Sequence, residues 1–140
     1  MPASPTPLFA NAAGTLAADP ASFLRVVWPA GPRTLADTQG LFGAIAEALA
    51  RRGWGRVLVH QVEMLPFSPA EQQWVAHEWL PGAVQHSGYR HGAVIVSTDA
   101  YTRLATAYIT TSVSGLPLRY RSFDAEAEAV AWLLRQPVGA

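Results

Sequence analysis

Apolar positions change their period several times along the chain, and each change marks an element. Ser22-Phe23-Leu24-Arg25-Val26-Val27-Trp28 is rich in β-branched and aromatic residues and stops at Pro29, Gly31 and Pro32, which predicts a strand followed by a turn. Leu41, Phe42, Ile45 and Leu49 then recur at helical spacing behind Thr34 and Asp37, a variant of the capping box, until Gly53 ends the pattern. Arg56-Val57-Leu58-Val59-His60 is short, β-branched and bracketed by Gly55 and a loop, as expected of a buried strand at the centre of a parallel sheet.

Ser68-Pro69-Ala70-Glu71 combines a serine N-cap, a proline at the first helical position and a glutamate at N3, so a second helix starts there and runs to Pro81-Gly82. Gly92-Ala93-Val94-Ile95-Val96 predicts another buried strand. Ser97-Thr98-Asp99 offers capping oxygens to a third helix, Thr98 to Val113, that carries Tyr101, Leu104, Tyr108 and Ile109 and ends before Gly115. Leu116 to Phe123 mixes apolar residues with Arg and Tyr in the manner of a half-exposed edge strand. Asp124 is placed to cap a last helix, with Glu126 and Glu128 near its positive end and Ala127, Val130, Leu133 and Leu134 as its buried stripe.

Near the N-terminus, Leu8 to Asn11 and Thr15 to Ala18 flank Asn11-Ala12-Ala13-Gly14, a hairpin signal, while residues 1–7, rich in Pro, Ser and Thr, read as a disordered tail. Strands followed by alternating helices and strands predict an α/β fold: a single mixed β-sheet with helices packed on it. Neither an internal repeat nor a linker divides residues 8–136, which form one expected domain.

Composition narrows the function. A chain of 140 residues that is 50% hydrophobic and 14% charged has enough apolar surface to fold compactly without a metal or cofactor as a staple. Ten arginines balance ten acids and lysine is absent, so no net field draws the protein to nucleic acid or anionic membrane. Arg51-Arg52 with Arg56, and Arg119 with Arg121, accompany no nucleic-acid or phosphate motif, and no nucleic-acid partner is expected. The lack of cysteine excludes disulfides, thiolate catalysis and Cys-ligated metals. With no secretory signal and no apolar run near the ~20 residues of a transmembrane segment, the expected location is the cytoplasm.

Candidate chemistry is sparse. His60, His77, His86 and His91 match no zinc spacing, and His77-Glu78 lacks the second histidine of His-Glu-x-x-His. No Gly-x-Ser-x-Gly elbow presents a nucleophile, and Ser87-Gly88 beside His86 does not make one. Glu63, Glu71 and Glu78 are dispersed. The expectation is therefore a protein with no catalytic residues, no metal and no cofactor. The alternative, a small hydrolase or metal-dependent enzyme, needs at least two of the histidines to meet an acid in a cleft.

Val62-Glu63-Met64-Leu65-Pro66-Phe67 leaves the carboxyl end of the expected central strand, where open α/β sheets bind their ligands. Met64, Leu65 and Phe67 are candidates to line a pocket or partner groove; the alternative is that they fold back as core, with Phe67 a staple before the Ser68 cap. Trp54, Trp74, Trp79 and Tyr101 raise the same question. If such rings are exposed together, self-association as a homodimer explains them.

The closing segment Phe123-Asp124-Ala125-Glu126-Ala127-Glu128-Ala129-Val130-Ala131-Trp132-Leu133, with Gln73-Trp74 and Trp79-Leu80-Pro81, resembles the short bacterial members of the SpoIIAA-like branch of the STAS/SEC14 superfamily, in outline from about Leu8 to Gln136. The lysine-free, alanine- and arginine-rich composition fits a GC-rich bacterial genome. This resemblance implies a non-enzymatic domain used for protein association, regulation or binding of apolar small molecules, with Met64, Leu65, Phe67 and Tyr101 as the candidate contacts. A ligand-free oligomeric scaffold is the other form such a domain takes. Relatives of this kind are switched by phosphorylation of a serine at the start of the helix after a central strand; the nearest residue is Ser68, but the usual Asp-Ser setting is absent and Pro69 follows, so Ser68 reads as an N-cap.

Overall fold

The computed structural model describes residues 4–112 and 115–139. Strands β1 (Thr6–Asn11), β2 (Gly14–Asp19) and β3 (Phe23–Val27) form an antiparallel meander, joined at Asn11 and Gly14 by the expected hairpin turn. Helix α1 (Leu35–Arg52) leads to β4 (Arg56–His60), helix α2 to β5 (His91–Ile95), helix α3 (Ala100–Thr111) to β6 (Arg119–Phe123), and helix α4 (Glu126–Leu134) closes the fold. Helix α2 is continuous from Pro69–Trp74 through a π turn, Val75–Trp79, into Leu80–His86. The six strands lie in sequence order in one mixed sheet, antiparallel from β1 to β3 and parallel from β3 to β6. β4 is interior and β6 is an edge, both as expected.

Because each parallel strand adds on the same side of the one before, connections of one hand put all three crossover helices on one face. Leu41, Phe42 and Ile45 of α1, Val75, Trp79 and Leu80 of α2, and Ala105 and Ile109 of α3 share a core there with Leu24, Val26 and Val57. Alternate residues of the same strands turn the other way: Phe23, Leu58, Ala93, Ile95 and Phe123 pack on Ala129, Trp132 and Leu133 of α4. Four helices thus cover a single sheet unequally, three on one side and one on the other.

Several boundaries differ from those expected. β1 begins at Thr6, inside the stretch read as tail; Met1 to Ala3 lie outside the described residues, as does Val113 at the expected end of α3. α2 passes Pro81-Gly82 and continues to His86. A proline ring collides with the carbonyl four residues back, here His77, and the wider π turn, in which the Leu80 N–H reaches the Val75 carbonyl, relieves that clash. The N-cap of α4 is Ala125, not Asp124, and no side chain caps it; Glu126 and Glu128 in the first turn meet the helix dipole instead. Its buried stripe is Ala129, Trp132 and Leu133 with Val130 half-buried, so the expected Ala127 and Leu134 are exposed.

The expected caps of α1 and α2 are formed. Thr34 and Asp37, and Ser68 and Glu71, exchange reciprocal bonds with each other's backbone N–H groups. Gly53 ends α1 in the left-handed conformation at φ 67°. Gly92 is required for a different reason: a Cβ there would lie 2.3 Å from the Tyr120 ring and 2.5 Å from the Tyr89 hydroxyl, which cross over the strand at that point.

Candidate functional site

The carboxyl ends of β4 and β5 carry the loop that the sequence singled out. The Gln61 N–H donates to the Ile95 carbonyl at 3.0 Å, and the chain turns at once, Met64 N–H returning to the Gln61 carbonyl at 3.2 Å. Met64 and Phe67 then fold inward, 2% and 5% exposed, as the core alternative required. Phe67 meets Trp28 edge-on with ring centroids 5.3 Å apart. Leu65 stays outside, 44% exposed, and Tyr101 even more so at 76%. The four candidate residues nevertheless come together around two adjoining surface grooves. One, of about 460 Å³, runs from Val62 and Met64 past Leu65 to Ser97, Asp99 and Tyr101. The other, of about 300 Å³, lies between Phe67, Gln72, Tyr101 and Leu104.

An ion pair behind the loop fixes its path. The Arg33 guanidinium donates to Glu71 at 2.8 and 3.1 Å and to the Leu65 and Pro66 carbonyls at 3.2 Å each, while stacking near Trp28 and Phe67. Both side chains are almost wholly buried, at 4% and 6% exposure. Glu71 also accepts from the Thr38 hydroxyl and the Ser68 N–H. Burial works to raise its pKa, but these hydrogen bonds and the Arg33 charge outweigh it and hold the carboxyl below its usual range. A motif chosen to start a helix thus also anchors the loop, a use of Glu71 that capping patterns alone do not reveal.

Helix α3 divides its apolar residues between an inward and an outward face. Its inward face is Thr102, Ala105, Thr106 and Ile109, and the threonines are buried because the loop supplies partners. Thr102 donates to the Met64 carbonyl at 3.0 Å and Thr106 to Gln61 Oε1 at 2.9 Å. Tyr101, Leu104 and Tyr108 consequently face out, with Leu104 69% and Tyr108 40% exposed. With Leu65 and Val62 they form the apolar edge of the grooves. The tryptophans grouped with Tyr101 do not join this surface: Trp79 is buried with its indole N–H on the Phe42 carbonyl, and Trp54 and Trp74 are half-buried against the core.

Between the sheet and the three helices lies an interior cavity of about 40 Å³, walled by Trp28, Phe42, Val57, Trp79 and Ile109, with Gln61, Thr106, Tyr89 and Tyr120 contributing polar atoms. That is room for very few waters, far below the several hundred Å³ of a small-molecule site. Burial, with the Tyr120 phenol beside it, pushes Tyr89 well above the ordinary tyrosine pKa, and burial raises Tyr120 to about 12. Both phenols are neutral at physiological pH.

The histidines do not converge. His60 ends β4, whereas His91 opens β5 opposite Arg56, four residues and about 13 Å away along the strand direction. His77 and His86 lie on exposed positions of α2. Among the described residues no three His, Asp or Glu side chains gather as metal ligands must. The Ser68 hydroxyl oxygen accepts from the Glu71 N–H at 3.1 Å, the capping role expected of it. No helix among the described residues is long and apolar enough to cross a membrane.

Fold and surface together define an α/β domain whose most prominent feature is an apolar patch at the carboxyl ends of its parallel strands. No family model matches the sequence, and comparison with curated proteins and with solved structures gave no match either.

Proposed function

We propose that the protein is a non-enzymatic binding module of the STAS/SpoIIAA-like kind that works by protein association, pairing with a second copy of itself through the outward face of α3 and the 62–66 loop. The observation that carries this reading is the outward face of α3, where Tyr101, Leu104 and Tyr108 are exposed while Thr102 and Thr106 are buried beside Ala105 and Ile109. An amphipathic helix normally hides such residues, and an exposed aromatic and aliphatic cluster on rigid structure is the usual composition of an interface core. Leu65 and Val62 extend the patch beyond the helix, and Arg33 holds their loop in place before any partner arrives, which lowers the ordering cost of association.

Binding of an apolar small molecule is less well supported, since the interior cavity of about 40 Å³ would have to open to admit one. The enzyme alternative lacks the convergence of histidines and acid that it requires. Native mass spectrometry of the wild-type protein and of Leu104→Asp tests the proposal. A dimer at the sequence mass that becomes a monomer in the variant supports it. A monomer in both, or a dimer that Leu104→Asp leaves intact, overturns the assigned face. Mass released from the wild type on denaturation would transfer the reading to ligand binding.

A further inference from the structure

The amino ends of the same strands carry a second feature of opposite character. A groove of about 510 Å³ is lined there by Arg90, His91 and Arg119 together with Leu116, Leu118 and Pro137. Strand register sets Arg56 beside His91 and His91 beside Arg119, and paired residues of neighbouring strands share a face, so the three form a row across β4, β5 and β6. Arg56 spends its five N–H groups on carbonyls, those of Ala21, Ser22, Leu133 and Gln136. Arg90 donates to the Val84 and Tyr89 carbonyls. Carbonyls satisfy donors but leave the charge in place.

Among the described residues no carboxylate side chain pairs with that charge. Ten acidic side chains are present in the sequence, all within the described residues, and none lines the groove. The ion pairs among the described residues use Arg25, Arg33 and Arg51. In a protein of zero net formal charge, three arginines and a histidine are gathered at one end of the sheet with no Asp or Glu side chain paired to them among the described residues. His91 registers the result: its Nδ1 is buried with no hydrogen-bond partner among the described residues, and burial, followed by the charges of Arg119, Arg56 and Arg90, pushes its pKa below the usual value. The ring of Trp132, from α4, packs edge-on against it at 5.9 Å between centroids.

We propose that this groove binds a small organic anion, its carboxylate or phosphate group held by Arg90, His91 and Arg119 and its apolar body lying on Leu116, Leu118 and Pro137. The volume suits such a ligand, which falls in the several-hundred Å³ class of small-molecule sites. Arginine forks match both headgroups. The site is separate from the apolar patch at the other end of the sheet, so either reading stands without the other.

The experiment is an NMR titration of the histidine ring resonances with octanoate, octyl phosphate, inorganic phosphate and octanol. At least one of the two amphiphilic anions is expected to bind saturably, about tenfold more tightly than inorganic phosphate or octanol, and to raise the pKa of His91 by about one unit, since a nearby anion opposes the arginine charges. The tighter of the two identifies the headgroup. Arg119→Ala is expected to weaken binding about tenfold, Arg119→Lys to restore part of it, and Arg103→Ala, a change on α3, to leave it unaltered. Absence of saturable binding, inorganic phosphate binding as tightly as octanoate and octyl phosphate, or equal shifts at His77 and His86 would overturn the proposal.

Discussion

Arg33 and Arg56 do similar work at opposite ends of the sheet, and the way they differ explains the different surfaces around them. Each reaches inward to pin a loop through backbone carbonyls, Arg33 those of Leu65 and Pro66, Arg56 those of Ala21, Ser22, Leu133 and Gln136. Arg33 is neutralised by a buried carboxylate, Glu71, whereas Arg56 has only dipoles. The carboxyl end of the sheet is thus left without an uncompensated arginine, and its groove sets Val62, Leu65 and Tyr101 beside the carboxylates of Glu63 and Asp99; the amino end retains positive charge. The identical residue type serves either end, and its counterion decides whether that end keeps a positive charge.

Removing the counterion breaks the comparison most severely. Glu71→Ala would leave Arg33 buried and uncompensated and also delete the α2 capping box, an expected loss of about 3–5 kcal/mol in urea unfolding. Arg56→Met keeps the apolar stem but abandons five hydrogen bonds, with an expected loss of about 1–3 kcal/mol; a loss as large as that of Glu71→Ala would mean that dipoles hold an arginine as firmly as a carboxylate does.

The same contrast has a pH signature. Glu71 is held below the carboxylate pKa of the unfolded chain, about 4.3, so its contribution is complete above that pH and is lost as pH falls through its lower folded value. Glu71→Gln is expected to flatten that acid limb in unfolding curves measured from neutral pH downward. His91, also lowered, adds stability above the unfolded histidine pKa of about 6.5 and loses it as pH falls through its own value. His91→Phe should remove this smaller slope at mildly acidic pH, while His77→Phe, at an exposed site, should leave it unchanged.

Much of this arrangement was legible in the sequence where local chemistry and tertiary demand agree. Thr34-Asp37, Ser68-Glu71 and Gly53 mark helix ends by bonds made within a few residues, and Val57-Leu58-Val59 announces a strand buried on both faces. Where a distant partner decides, local signals mislead. The spacing of Tyr101, Leu104, Tyr108 and Ile109 left open which of them would be covered, and the structure turns Thr102 and Thr106 inward beside Ile109 because Met64 and Gln61 offer them hydrogen bonds from another segment. Pro81 looked like a stop until the π turn made room for it. The candidate loop divided for the same reason: Met64 and Phe67 are claimed by the aromatic core, leaving Leu65 and Tyr101 as its outer part. The basic groove was illegible because Arg90 and His91 are distant in sequence from Arg119, and His91 meets Arg119 only through strand register.

The smallest expected effect on stability belongs to the surface proposed for self-association. Leu104→Asp touches no core contact and should change unfolding free energy by no more than about 0.5 kcal/mol at a concentration where the protein is monomeric. Self-association through α3 is tested most directly by mapping backbone amide NMR shifts across a dilution series. The expected result is concentration-dependent shifts confined to residues 62–65 and 100–109, with 90–91 and 118–119 unmoved. Shifts that are absent, or that fall instead on the β1 edge or on α1, would contradict it.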